Sequence, residues 1–156
     1  MLNPEETKQL VALLKKTEWP LAPEVFHSFM GKIVSIPIEL GVFNEDGEIL
    51  LIYRDDWEFR GWHLPGTVLR DNESVSDAIA RLIRSEVGVD VTNPVSIGWF
   101  ESGRDIHPTR HEISLLHTCF LKEGYSGKGK FFSSTNLPED TLEHHKTIVS
   151  KMLGRT

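Results

Sequence analysis

Residues 66–89 read GTVLRDNESVSDAIARLIRSEVGV, and the fold turns on how this stretch divides. Residues before Ser74 are turn-like, and residues 74–87 have helical periodicity. At about 100° per residue, Val75, Ile79, Leu82 and Ile83 fall on one stripe, while Asp77, Arg81 and Arg84 lie opposite. Gly88 supplies the stop. Glu86 is the anomaly. It falls inside the apolar stripe, between the directions of Ile79 and Leu82, and in the last turn, where the helix dipole disfavours an anion. A carboxylate facing the body of a protein is costly to bury unless it is neutral or paired. An arginine or an oxygen-ligated metal ion would meet that need; the alternative is a frayed helix end that releases Glu86 to solvent.

The flanks supply a sheet. Residues 33–43 alternate, with Val34, Ile36, Ile38, Leu40 and Val42 facing one way and Ser35, Pro37, Glu39 and Gly41 the other, the pattern of a half-buried strand. Pro37 cannot donate to a ladder, so an edge or bulge is expected there. Asn44-Glu45-Asp46-Gly47 is a turn, and residues 49–53 form the returning strand. Residues 54–67 read as loop. Strands are expected near 95–101 and 112–122, a short last strand at Phe131 and Phe132, and a terminal helix over 138–153. At the other end, Asn3 is a good N-cap and Pro4 suits the first helical position, so residues 3–16 form a helix with Leu10, Val11 and Leu14 on one face. A second short helix follows Pro23. The expected organisation is a helical extension over 1–30 and an α/β domain over 31–156, a mixed sheet with helices on its faces.

Composition narrows the function. The chain has 156 residues and a formal net charge of -6, which fits one domain and argues against a polymeric nucleic acid as partner, since such affinity comes largely from Lys and Arg contacts to phosphate. A small anionic ligand needs only a few local cations. The single cysteine, Cys119, cannot form an internal disulfide and sits in an apolar run as a buried hydrophobe. The N-terminus has no signal-peptide pattern and no stretch is apolar enough for a membrane span, so a cytoplasmic location without membrane contact is expected.

Glu73, Arg81, Ile83, Glu86, Gly88 and Val89 stand at the spacing of the Nudix box, G-x5-E-x7-R-E-U-x-E-E-x-G-U, with Leu64-Pro65-Gly66 as a matching lead-in. The chain resembles the Nudix (MutT-like) hydrolase superfamily over residues 33–153. The resemblance implies an α/β/α sandwich with a mixed sheet and a hydrolase that uses Mg2+, or Mn2+ in its place. It also implies that Glu73 and Arg81 tie the loop to the helix, with Gly88 as the third structural position; the alternative from the residues alone is that Arg81 pairs with Asp77, four positions before it. Three box positions depart: Thr67 replaces the glycine, Leu82 the glutamate after the arginine, and Ser85 the first of the paired glutamates. On an α-helix, positions 82, 85 and 86 share one face, so only Glu86 remains of three metal-binding carboxylates. The run Arg81-Leu82-Ile83-Arg84-Ser85-Glu86 is similar to the altered box of the GDP-mannose mannosyl hydrolases, although their Gln-His pair has no counterpart in residues 123–130.

The candidate site follows. Glu86 is the metal ligand and catalytic residue. Arg54 and Arg70 are candidates to grip a diphosphate with their planar forks, with Arg60 beside them, and Glu39 to touch a ribose or sugar hydroxyl. Trp57, Phe59 and Trp62 could stack a base, with Trp62 better suited to the core. His107 and His111, four apart but separated by Pro108, read as loop residues, and Glu143-His144-His145 reads as an exposed polar face. The expected function is Mg2+-dependent hydrolysis of a nucleoside diphosphate linked to another group, such as a nucleotide sugar, by a monomer or homodimer. The alternative is a silent Nudix-fold module that binds a nucleotide or a protein.

Overall fold

The computed structural model describes residues 2–56, 58–107, 110–122 and 124–154. Two helices lead, α1 (Pro4–Leu14) and α2 (Pro23–Met30). Asn3 caps α1: its Oδ1 accepts from the N–H groups of Glu5 and Glu6, and the Glu6 carboxylate accepts from the Asn3 N–H, a reciprocal capping box. No residue of α1 is buried, so the Leu10/Val11/Leu14 stripe stays exposed.

The strands are β1 (Val34–Ser35), β2 (Pro37–Phe43), β3 (Glu48–Asp55), β4 (Arg60–His63), β5 (Gly66–Val68), β6 (Val95–Ser102), β7 (His111–Phe120) and β8 (Lys130–Ser133). They form one mixed sheet in the order β1-β7-β2-β3-β4, with β5 on β2, β6 on β7 and β8 on β3. β2 runs parallel to β7 and antiparallel to β3 and β5. Pro37 opens β2, where its missing donor is tolerated. Every residue of β2 is buried, so the strand is not half-exposed as its alternation suggested. The reason is that helices cover both faces. Ile38 packs under Ala78 and Ile79 of α3 (Val75–Leu82). On the opposite face Phe43 shares a cluster with Ile148 and Val149 of α4 (Glu143–Met152). Gly41 permits the close approach of α4, because a Cβ there would lie 2.8 Å from the Met152 sulfur. The sandwich is therefore α/β/α, as the sequence implied.

Two corrections bear on the site. Residues 54–67 are not simply loop, because they contain β4 and β5, which pair with β3 and β2. Strands of four and three residues are too short to show periodicity. The helix expected over 74–88 is α-helical only to Leu82; Ile83–Val87 is a π turn closed by the Gly88 N–H on the Ile83 carbonyl at 2.7 Å. Gly88 sits at φ 73°, a left-handed conformation suited to glycine. Although they lie within one turn, positions 82, 85 and 86 meet different surroundings. Leu82 is wholly buried among Leu40, Val42, Leu50 and Val87, Ser85 is exposed, and Glu86 lines a cleft. Restoring a carboxylate at 82 would place it in the core.

Truncating Leu82 to Ala should cost about 3 kcal/mol, read from urea unfolding; a loss below about 1 kcal/mol would contradict this placement of Leu82.

Candidate functional site

The site is built on Gly66. Antiparallel pairing of β5 with β2 sets Gly66 opposite Glu39. The Gly66 N–H donates to Glu86 Oε2 at 3.2 Å, and a Cβ on Gly66 would come within 2.8 Å of Glu39 Oε2. Two carboxylates from distant parts of the chain thus abut one glycine. Burial raises the Glu39 pKa well above the usual carboxylate range, and the negative charges of Glu112 and Glu86 raise it further. Burial also raises that of Glu86, against the opposing pull of the Gly66 N–H and Arg54.

Arg81 fixes this geometry. Its Nε and Nη2 each donate to one oxygen of Glu73 at 2.8 Å, Nη1 donates to Thr67 Oγ1 at 2.6 Å, and Nη2 also reaches the Val68 carbonyl. Asp77, the other candidate partner, hydrogen-bonds Ser74 instead. The guanidinium holds Glu73 down to a pKa of about 2. Thr67, a departure from the box, supplies a hydroxyl that a glycine could not.

The two carboxylates lie in a cleft of about 490 Å³, within the size range of small-molecule sites. Arg54, Arg70, Arg81 and Arg110 all line it. Arg54 is paired with Asp56 and lies over the Phe59 ring. Arg110 contacts Glu58 at 3.0 Å and Glu112 at 3.5 Å. Arg70 lies over the Trp19 ring at 5.6 Å and, among the described residues, has no acidic partner. Arg60 is outside the cleft, exposed beside Asp55. Trp62 packs against Phe132; Trp57 lies outside the described residues.

The sequence reading missed the histidines. His63, His107, His144 and His145 all line the cleft, with the rings of His144 and His145 4.3 Å apart. His145 is buried, not on an exposed face. The signal was present, since His145, Ile148, Val149 and Met152 have helical i, i+3, i+4, i+7 spacing. The Leu64 N–H donates to His145 Nδ1 at 3.3 Å, which makes that nitrogen an acceptor and the ring neutral. Burial lowers the pKa of all four rings, that of His144 to about 4 and that of His145 well below the usual value. His111 instead pairs with Glu101 on the surface at 2.9 Å, so it does not meet His107. Trp19 and Phe26, from before the sheet, also line the cleft. Cys119 is buried with its thiol pushed up to about 12, which makes it inert. Among the described residues no three His, Cys, Asp or Glu groups form a metal cage, and no helix is long and apolar enough to cross a membrane.

The NUDIX domain family model matches residues 39–136. The chain belongs to the Nudix family. It is similar to an ADP-ribose pyrophosphatase of Methanocaldococcus jannaschii, 33% identical over 119 residues that cover 72% of this chain and 70% of the relative. It is also similar to the low-salt glycan biosynthesis protein Agl8 of Haloferax volcanii, 32% identical over 77 residues and 49% of each chain. The crystal structure of a MutT protein from Methanosarcina mazei superposes with a TM-score of 0.65 at 17% identity, over 78% of this chain and 94% of that one. That likeness speaks for the fold alone, and it agrees with the mixed sheet of this Nudix chain.

The neutral histidines make stability pH-dependent. The folded-state pKa of His144 lies below its unfolded value near 6.5, so its contribution is present above that value and is lost as pH falls toward about 4. At pH 5.5 the loss is about 1 kcal/mol. His144→Gln should therefore lose about 1 kcal/mol less stability than the parent between pH 7.5 and 5.5 in urea unfolding; an unchanged difference would contradict a neutral, buried His144.

Proposed function

We propose that this Nudix chain is an Mg2+-dependent hydrolase of a nucleoside diphosphate linked to a second group, with nucleotide sugars as the substrate class. The observation that carries the reading is the sharing of one cleft by Glu86 and a set of arginines. The donor chemistry suits the ion: Glu86 offers carboxylate oxygens from a buried position that needs a cation, and Mg2+ typically takes one or two carboxylates plus waters and substrate phosphates. When bound, the ion would neutralise charge developing on the diphosphate.

The protein's own groups would do the rest. Arg70 is the best placed to grip phosphate, being without an acidic partner among the described residues, and Arg54 can add a second contact from the end of β3. Both line the cleft and would present donors to the negative charge of a bound diphosphate, an arrangement that lowers a barrier when it is preorganised. The Arg81–Glu73 pair and Gly88 set the helix and the loop before it. The neutral histidines, with Phe59, form a wall suited to an uncharged sugar or base. The relative named ADP-ribose pyrophosphatase makes ADP-ribose the first compound to try, and the box likeness makes GDP-mannose the second.

A silent binding module is the second reading. It is favoured by the placement of Leu82 in the core and Ser85 at the surface, which leaves Glu86 alone among the three box positions. Turnover decides between the two readings. With Mg2+, ADP-ribose or GDP-mannose should be cleaved, chelation should stop the reaction, and Glu86→Gln should lower kcat on the order of a hundredfold. No product from either compound would favour the silent module; full metal-dependent activity in Glu86→Gln would overturn the assignment of Glu86.

A further inference from the structure

We propose that Glu39 is the second protein ligand of the divalent ion at Glu86, a strand carboxylate standing in for the helix carboxylates absent at 82 and 85. The inference rests on the reading of Glu86 as a metal ligand and adds a residue that lies in a different element and outside the box.

Three observations carry it. First, Glu39 and Glu86 converge on Gly66, one against its Cα and the other on its N–H, and both line the same cleft. Second, Glu39 is only 7% exposed, and its Oε2 has no hydrogen-bond partner among the described residues. Buried carboxylate oxygens are rarely left so. Third, among the described residues no Lys or Arg forms an ion pair with Glu39. His145 is near, with Nδ1 3.8 Å away, but that nitrogen already accepts the Leu64 N–H. Arg110 is engaged by Glu58 and Glu112.

A sugar hydroxyl, the role read for Glu39 from the sequence, could donate one hydrogen bond to Oε2. It would leave the charges of Glu86 and Glu112 acting against that of Glu39. A divalent cation satisfies the orphaned oxygen and offsets that repulsion together. Two carboxylates, with the remaining positions filled by water and phosphate oxygens, match the preference of Mg2+. They also agree with the lack of a three-residue cage among the described residues.

The test is Mn2+ binding to the full chain with no nucleotide present, followed by the electron paramagnetic resonance signal of the unbound ion. Glu39→Gln and Glu86→Gln should each weaken Mn2+ by roughly tenfold or more. Loss in Glu86→Gln alone would leave the Glu86 reading standing and overturn the role of Glu39. Loss in neither would overturn both. Thermal melts of each variant with and without Mn2+, each compared with its own metal-free melt, guard against altered folding. The parent should gain stability on adding Mn2+ and Glu39→Gln should gain less at the same concentration; an undiminished gain in Glu39→Gln would overturn the proposal.

Discussion

The fork of Arg81 on Glu73 is the constraint on which the site depends. One guanidinium binds both oxygens of Glu73, the hydroxyl of Thr67 and the carbonyl of Val68, so it ties β5, the loop after it and α3 into one unit. β5 is only three residues long and could not hold its register by pairing alone. Its position decides where Gly66 lies, and Gly66 decides where Glu39 and Glu86 meet. Arg81 therefore shapes the cleft that it also lines, and Thr67 strengthens the clamp at a place where the box pattern expects glycine.

Around that clamp the molecule arranges its ionisable groups in two layers. Carboxylates crowd where β2, β7 and the π turn approach; burial disfavours the charge of Glu39 and of Glu86, and the charges of Glu112 and Glu86 add to this at Glu39. Beside them, four histidines are kept neutral by burial and by neighbouring cationic and imidazole groups. Arginines held by Asp56, Glu58 and Glu112 complete the rim. A cleft of this kind favours an anionic ligand accompanied by a cation over either one alone, because each relieves the charge that the other would add. The π turn carries Glu86 at the cleft while Leu82 stays in the core; turns of this type occur frequently at functional sites.

Much of this was legible in the sequence. The helical stripe of Val75, Ile79 and Ile83, the hairpin turn at 44–47 and the spacing of Glu73, Arg81 and Glu86 led to the sheet, the sandwich and the family. The rest depended on tertiary contacts that no local pattern reports. The burial of Glu39 and Gly41 comes from α4, more than a hundred residues away in the chain. The different surroundings of Leu82, Ser85 and Glu86 come from what packs against them, core residues at Leu82 and the Gly66 N–H at Glu86, which no helical wheel reports. β4 and β5 are too short for periodicity. His145 was legible in principle through its spacing to Ile148 and Val149, but two adjacent histidines beside Glu143 and Lys146 read more readily as a solvated face.

The most direct test of the central claim is a crystal structure grown with Mn2+ and a nucleoside diphosphate, with an anomalous difference map at the manganese edge. The account predicts one peak in the cleft, within coordinating distance of carboxylate oxygens of Glu86 and Glu39, and phosphate oxygens turned toward Arg70 and Arg54. A map with no peak at Glu86, or with the nucleotide bound away from this cleft, would contradict it.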